Sequence, residues 1–409
     1  MPEETVSPRR QVVIFALITA ACVAGDAMLY VALPLYWAEA GLNSLWEVGI
    51  LLSANRLARL PLNPLIGWLY SRLSTRSCAL FASVLSVAVT AGYAYAQGLA
   101  AWLVLRFLWG LCWSLLKLGG LFTVMDVSGP HDRGYLIGLY KGTYQLGSLA
   151  GMLGGGILAD LMGLRVTALA CAGLAVAAIV LSAAAVRRIA PTKRRTPAGE
   201  RTPLGALLRS PSLLWVLGTC LFVSLLIEGF FASTLSAFLE GHWGSPLSVF
   251  GLAVGCATAA GTIQAMRWGW DPCFAPVVGR LSDGRLGRTA LFAGACWIAA
   301  ALFALVTVPM PLVCGLLLLL CVELCCTFLS TLSDALATDL AARSQAVFVI
   351  TAYTLAVDLG AALGPLGGFA LTDLWGMDAA YLFAAALLLF FALRWTFRPP
   401  LSRKNAEAE

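Results

Sequence analysis

Long apolar runs fill almost the whole chain, and polar residues collect in the short gaps between them. About 20 apolar residues suffice to cross a hydrocarbon core of about 30 Å. Breaks at charge clusters, glycines and prolines predict twelve spans, at 11–38, 46–70, 77–97, 99–125, 134–159, 165–187, 212–239, 247–278, 288–308, 310–338, 345–370 and 378–397. These runs are far too long for barrel strands, so the backbone must be satisfied within helices. The first run continues past Cys22 and Ala24 to Leu35, which reads as an uncleaved helix and not as a signal peptide. Pro34 is expected to bend its outer part.

Composition agrees with this pattern. The chain is 60% hydrophobic and 12% charged, whereas a soluble domain is closer to half apolar and a quarter charged. The twelve cysteines lie in or beside apolar stretches and form no CxxC pair, so they read as small apolar packers in helices.

Basic residues set the orientation. Arg9 and Arg10 precede the first span, Arg72 and Arg76 follow the second, and Arg133 follows the fourth. Arg280, Arg285 and Arg288 follow the eighth, Arg343 the tenth, and Arg394, Arg398, Arg403 and Lys404 end the chain. The alternate loops hold almost none, Arg165 excepted, which predicts an even number of spans with both termini in the cytoplasm; the expected membrane is a bacterial-type inner membrane. The middle loop carries seven basic residues between Arg187 and Arg209 against the single Glu200, a surplus equal to the whole chain's +6. The charge therefore points to a linker held at an anionic leaflet and not to nucleic acid. It divides the chain into a bundle at 1–186, a linker at 187–211, a second bundle at 212–398 and a tail at 399–409.

The halves repeat one another. "QLGSLAGMLGGG" in span 5 and "DLGAALGPLGGF" in span 11 place Gly147, Gly151, Gly154 and Gly155 on Gly360, Gly364, Gly367 and Gly368 at a constant shift of 213. The same shift carries Asp126 to Asp339 and Gln145 to Asp358. "GWLYSRLSTR", holding Gly67, Arg72 and Arg76, recurs 212 residues later as "GRLSDGRLGR", holding Gly279, Asp283, Arg285, Gly287 and Arg288.

These features resemble the major facilitator superfamily over essentially the whole chain. "GRLSDGRLGR" is similar to that family's cytoplasmic loop motif, with one extra residue before Gly287. The first copy has Ser71 where the family usually has Asp. "RFLWGLCW", from Arg106, resembles the family's span-4 arginine motif, and "GDAMLYVALP" resembles a span-1 motif common in drug/proton antiporters. The resemblance implies an all-α integral membrane protein with 12 transmembrane helices in two pseudo-symmetric six-helix bundles, its two loop motifs working as conformational elements. The glycines at 147, 151, 155, 360, 364 and 368 repeat along one helix face, allowing close helix approach for static packing or for sliding.

Charges inside the spans carry the chemistry, because each costs about 2.5–3.5 kcal/mol at a helix centre unless it meets a partner or water. Arg106, Gly110, Trp113 and Lys117 form one stripe; Arg56, Arg59 and Asn63 form another; Lys141, Tyr144, Gln145 and Ser148 a third. The second half offers Gln264, Arg267, Trp268 and Asp271, then Glu323, Thr327, Ser330 and Asp334, then Thr351, Thr354 and Asp358. Asp26, Glu228, Glu323 and Asp358 lie near mid-span, where a carboxylate either exchanges protons between the two sides or neutralises a fixed cation. Tyr30, Arg56, Arg106, Trp113, Lys141, Gln145, Gln264, Arg267 and Trp268 are the expected cavity residues. Arginine grips carboxylate or phosphate, so the cations favour a polar or anionic organic cargo, with aromatic rings available for its flat parts.

Other chemistries find no support. His131 and His242 lie in or near loops, and the sequence has no HExxH pair, no Walker loop and no nucleophile–base motif. The expectation is a non-enzymatic secondary transporter without cofactor or metal, working as a monomer in membrane lipid by alternating access. Its partners are protons and a small molecule, a siderophore-type metabolite or a drug that it exports. An importer of an organic anion with protons, or a lysolipid carrier, is the alternative.

Overall fold

The computed structural model describes residues 8–70, 72–128, 132–186, 211–249, 251–283, 287–343 and 346–397. The basic linker at 187–210, the tail at 399–409, Arg285 and the side chain of Asp283 lie outside them. The described chain is helical almost throughout: α1 Pro8–Ala32, α2 Leu45–Tyr70, α3 Thr75–Tyr93, α4 Gly98–Val127, α5 Arg133–Ala185 and α6 Pro211–Ser224. A π-helical segment, Leu225–Phe231, continues α6 into α7 Ala232–Trp243. A short hairpin follows (β1 Leu247–Val249, β2 Leu252–Val254), then α8 Cys256–Asp283, α9 Arg288–Leu305, α10 Leu312–Arg343, α11 Ala346–Trp375 and α12 Met377–Phe397. Among the described residues, nine helices are long and apolar enough to cross a membrane. Helices α2 and α8, which carry Arg56, Arg59, Arg267 and Asp271, are not among those nine.

Three boundaries differ from the hydrophobic pattern. Helix α1 stops at Ala32 instead of bending through Pro34, and a series of turns follows it. Proline has no N–H to give and its ring crowds the carbonyl four residues back, so the helical ladder ends there. The fifth and sixth predicted spans are joined without a loop, because the chain turns at Gly163 alone, at φ 77° and ψ 173°. That backbone conformation is open to glycine and disfavoured for residues with a Cβ. The apolar start of the eighth predicted span forms the antiparallel hairpin, with Leu247 opposite Val254; Gly251 at φ 83° supplies its turn.

The chain forms two compact units, residues 1–195 with 255–265, and 196–254 with 266–409. In the first, α1 packs along α5, α2 against α4, and α3 against both α4 and α5. In the second, α11 packs along α6 and the π segment, and α9 against both α10 and α12. The repeat extends to single hydrogen bonds. Cys112 Sγ donates to the Ala82 carbonyl at 3.1 Å, and Cys325 Sγ to the Ala295 carbonyl at 3.4 Å, both partners shifted by 213. Segment 255–265 belongs to the first unit because Asp160 on α5 accepts from Thr258 N at 2.6 Å and from Thr258 Oγ1 at 2.5 Å.

Both units are filled with aromatic and small side chains. Tyr93 stacks on Trp102 at 5.1 Å in the first, and Phe238 and Phe303 meet Tyr381 in the second. Large apolar residues such as Leu161, Val180, Leu317 and Phe397 are left exposed, a distribution suited to lipid as solvent.

Candidate functional site

In the first unit the charges converge on Asp26. It lies on α1, buried, and its Oδ1 accepts from Arg106 Nη1 of α4 at 2.5 Å and from Asn55 Nδ2 of α2 at 3.1 Å. Arg106 has no exposed surface, and its Nε donates to the Leu51 carbonyl at 3.0 Å. Gly110, one turn beyond Arg106, makes this reach possible. A Cβ there would stand 2.7 Å from the Asn55 carbonyl oxygen, so only glycine lets α4 approach the α2 backbone this closely. The two charges are taken out of water as a pair, with the Asn55 amide on the same carboxylate oxygen, while Arg106 Nη2 and Asn55 Oδ1 bond to no described residue.

Beside this core lie cations backed by rings. Arg56 donates from Nε to Tyr30 Oη at 3.1 Å, and Arg59 lies 5.2 Å over Trp113. Trp113 in turn meets Tyr144 edge-on at 5.6 Å. Lys141 and Gln145 share α5 with Tyr144; Lys141 is exposed and Gln145 half-buried.

The second unit holds a different constellation in the same frame. A shift of 212 carries Asn55, Arg56 and Arg59 of α2 onto Arg267, Trp268 and Asp271 of α8, and a shift of 213 carries Gly110 of α4 onto Glu323 of α10. Where the first half has a bare glycine facing an asparagine, the second has a carboxylate and an arginine. Glu323 is 2% exposed and Arg267 8%. Glu323 Oε2 and Arg267 Nε make no hydrogen bond to any described residue. Arg267 interacts electrostatically with Glu323, Asp271 and Glu228, and its guanidinium lies 5.4 Å over the Trp268 ring. Glu228 sits in the π segment, half-buried, and Asp358 on α11 is buried; Gln264, also buried, lies in the segment of α8 that belongs to the first unit. Asp271 accepts from Thr327 Oγ1 at 2.6 Å, and that hydroxyl accepts from Trp270 Nε1 at 3.1 Å.

The repeated glycines are packing contacts in both units. A Cβ at Gly147, Gly151 or Gly155 would overlap Ala20, Ala24 or Met28 of α1. One at Gly360 or Gly364 would overlap the backbone at Leu221 and Leu225, and one at Gly368 the Phe230 ring. Gly154 and Gly367, off that face, have open space. Of the loop-motif residues, Arg288 donates to the Ala335 carbonyl and pairs with Asp339, and Arg76 donates to the Ala183 carbonyl. Arg72 stacks on Trp68 at 4.4 Å, and Gly67 and Gly279 have open space around them.

Sequence reasoning passed over Asn55, which shares a helix face with Arg59 four residues on, and the bond between Thr327 and Asp271. It also passed over Asp160. A polar residue within an apolar run was the available signal in each case. Among the described residues no group of three or more His, Cys, Asp or Glu is placed to hold a metal ion.

The family model of the Major Facilitator Superfamily matches residues 15–271 and 272–409, and the chain belongs to that family. It is an integral membrane transporter and not an enzyme. Solved structures share the fold at low identity. A bacterial homologue of the human lysosomal transporter Spinster is 14% identical at a TM-score of 0.75, covering 95% of this chain and 97% of that one. A mutant of the peptide transporter POT in complex with sulfate is 16% identical at 0.73, covering 94% and 93%. A mutant of the nucleoside transporter NupG is 14% identical at 0.74, covering 95% and 99%. No curated protein matches the sequence.

Proposed function

We propose that this secondary active transporter is proton-coupled and exports a polar or anionic organic small molecule, such as a carboxylate- or hydroxamate-bearing metabolite or a drug. Both termini face the cytoplasm of a bacterial-type inner membrane, and the chain works as a monomer. The observation that carries the reading is Glu323, a carboxylate buried in the middle of α10 with an oxygen that no described residue bonds, facing Arg267. Such a group has a free position for a proton and a fixed positive neighbour whose attraction it gains or loses with its own charge. Asp26 is the weaker proton carrier, since Arg106 pairs with it directly and Asn55 donates to the same oxygen, Oδ1. The cations Arg56 and Arg59, each with an aromatic surface beside it, support a cargo with anionic and flat parts. The antiporter-like span-1 motif around Asp26 supports export.

Reconstitution in proteoliposomes under an imposed pH gradient, with a panel of organic anions, siderophores and amphipathic drugs, tests this. Substrate moving against the proton flow is the expected result. Substrate moving with the protons would replace export by symport, and flux indifferent to the gradient would remove proton coupling.

A further inference from the structure

Arg267 lies one helical turn before Asp271 on α8 and within electrostatic reach of Glu323 on α10, and the hydrogen bonds on α8 and α10 distinguish the two carboxylates. Glu323 Oε2 has no hydrogen-bond partner among the described residues. Asp271, one helical turn from Arg267 on α8, is held: Thr327 Oγ1 donates to its Oδ1 at 2.6 Å. Thr327 is fully buried, and Trp270 Nε1 bonds the other side of its hydroxyl at 3.1 Å. The Thr327 proton goes to Asp271 at 2.6 Å in preference to the Glu323 carbonyl at 3.5 Å, which fixes the Asp271 carboxylate on the α8 and α10 pair. In the first unit the equivalent position is Arg59, which stacks on a ring, so this anchored carboxylate is particular to the second half.

We propose that Asp271 is a positioning residue for proton exchange at Glu323, serving as the fixed counter-charge that neutralises Arg267 while Glu323 is protonated. This rests on the reading of Glu323 as the coupling carboxylate. Glu323 Oε2 takes a proton from a hydronium ion, forming an O–H bond and leaving water, and release reverses the step. Without Asp271, protonation would leave the buried Arg267 with Glu228, the last and smallest of its acidic neighbours, as the remaining carboxylate, a costlier state. With Asp271 held by Thr327 one helical turn from Arg267, a negative charge stays near the arginine throughout and the proton can come and go. The charged and titratable groups around Glu323 are Arg267 and Asp271 of α8, Cys326 of α10 and Tyr381 of α12, with Glu228 of the π segment facing Arg267.

The test is an infrared titration of the purified full-length protein in liposomes, following the buried carboxylic acid band that disappears in Glu323→Gln. Asp271→Asn is expected to move the midpoint of that band to lower pH by about one unit or more, a tenfold or greater change in proton affinity. Thr327→Val is expected to move it the same way by less, while Asp271→Glu restores the midpoint. A midpoint unchanged in both Asp271→Asn and Thr327→Val overturns the role of Asp271 and leaves Glu323 as the proton site. If no titrating band is lost in Glu323→Gln, the underlying reading of Glu323 fails, and this inference with it.

Discussion

Arg106 and Asp26 form an ion pair at 2.5 Å inside the first helical unit, with no exposed surface on the arginine. Breaking a buried pair by removing one partner costs about 3–5 kcal/mol, because the other charge is left without compensation. Asp26→Asn should therefore act mainly on stability, with a large drop in thermal midpoint in detergent. The double substitution Asp26→Asn with Arg106→Gln should recover much of that loss. A stable Asp26→Asn protein that has lost only proton coupling would instead make Asp26 the proton carrier.

The glycine faces make a paired prediction. Gly151→Ala and Gly364→Ala place a methyl into the backbone at Ala24 and Leu225, and each should cost about 1–3 kcal/mol by overpacking. Gly154→Ala and Gly367→Ala meet open space and should be neutral or stabilising by up to about 1 kcal/mol, since alanine suits a helix better. Thermal unfolding of the four variants checks this directly. Equal effects at all four would mean that the repeated spacing carries no packing role.

This contrast also shows what the sequence made legible. The shift of 213 residues was readable because glycines and an aspartate recur on it, and the structure extends it to the bonds of Cys112 and Cys325. The ends of elements were less readable where one residue decided them. Pro34 lies inside an apolar run that hydropathy continues, and Gly163 turns the chain with no polar loop to announce it. The interior pairing was the least readable part. Helix periodicity places Arg106 and Asp26 on faces but says nothing of which faces meet, and that depended on Gly110 admitting the α2 backbone.

The loop motif yields a prediction of the opposite kind. Arg288 and Asp339 pair while partly exposed, and such pairs contribute about 0–1 kcal/mol. Asp339→Asn should change the thermal midpoint little and yet slow transport, if the motif holds one conformational state. Comparing the transport rate with the midpoint in the same preparation checks it. A loss of stability in proportion to the loss of rate would reduce the pair to a structural contact.

The central claim is that Glu323 couples proton movement to cargo, and one comparison tests it most directly. Proteoliposomes holding wild type or Glu323→Gln are given the same substrate, first with a pH gradient and then for exchange without one. Wild type should build a substrate gradient only when the proton gradient is present. Glu323→Gln should still exchange substrate across the membrane but build no gradient at any imposed pH difference. A Glu323→Gln protein that concentrates substrate as well as wild type does would contradict the account.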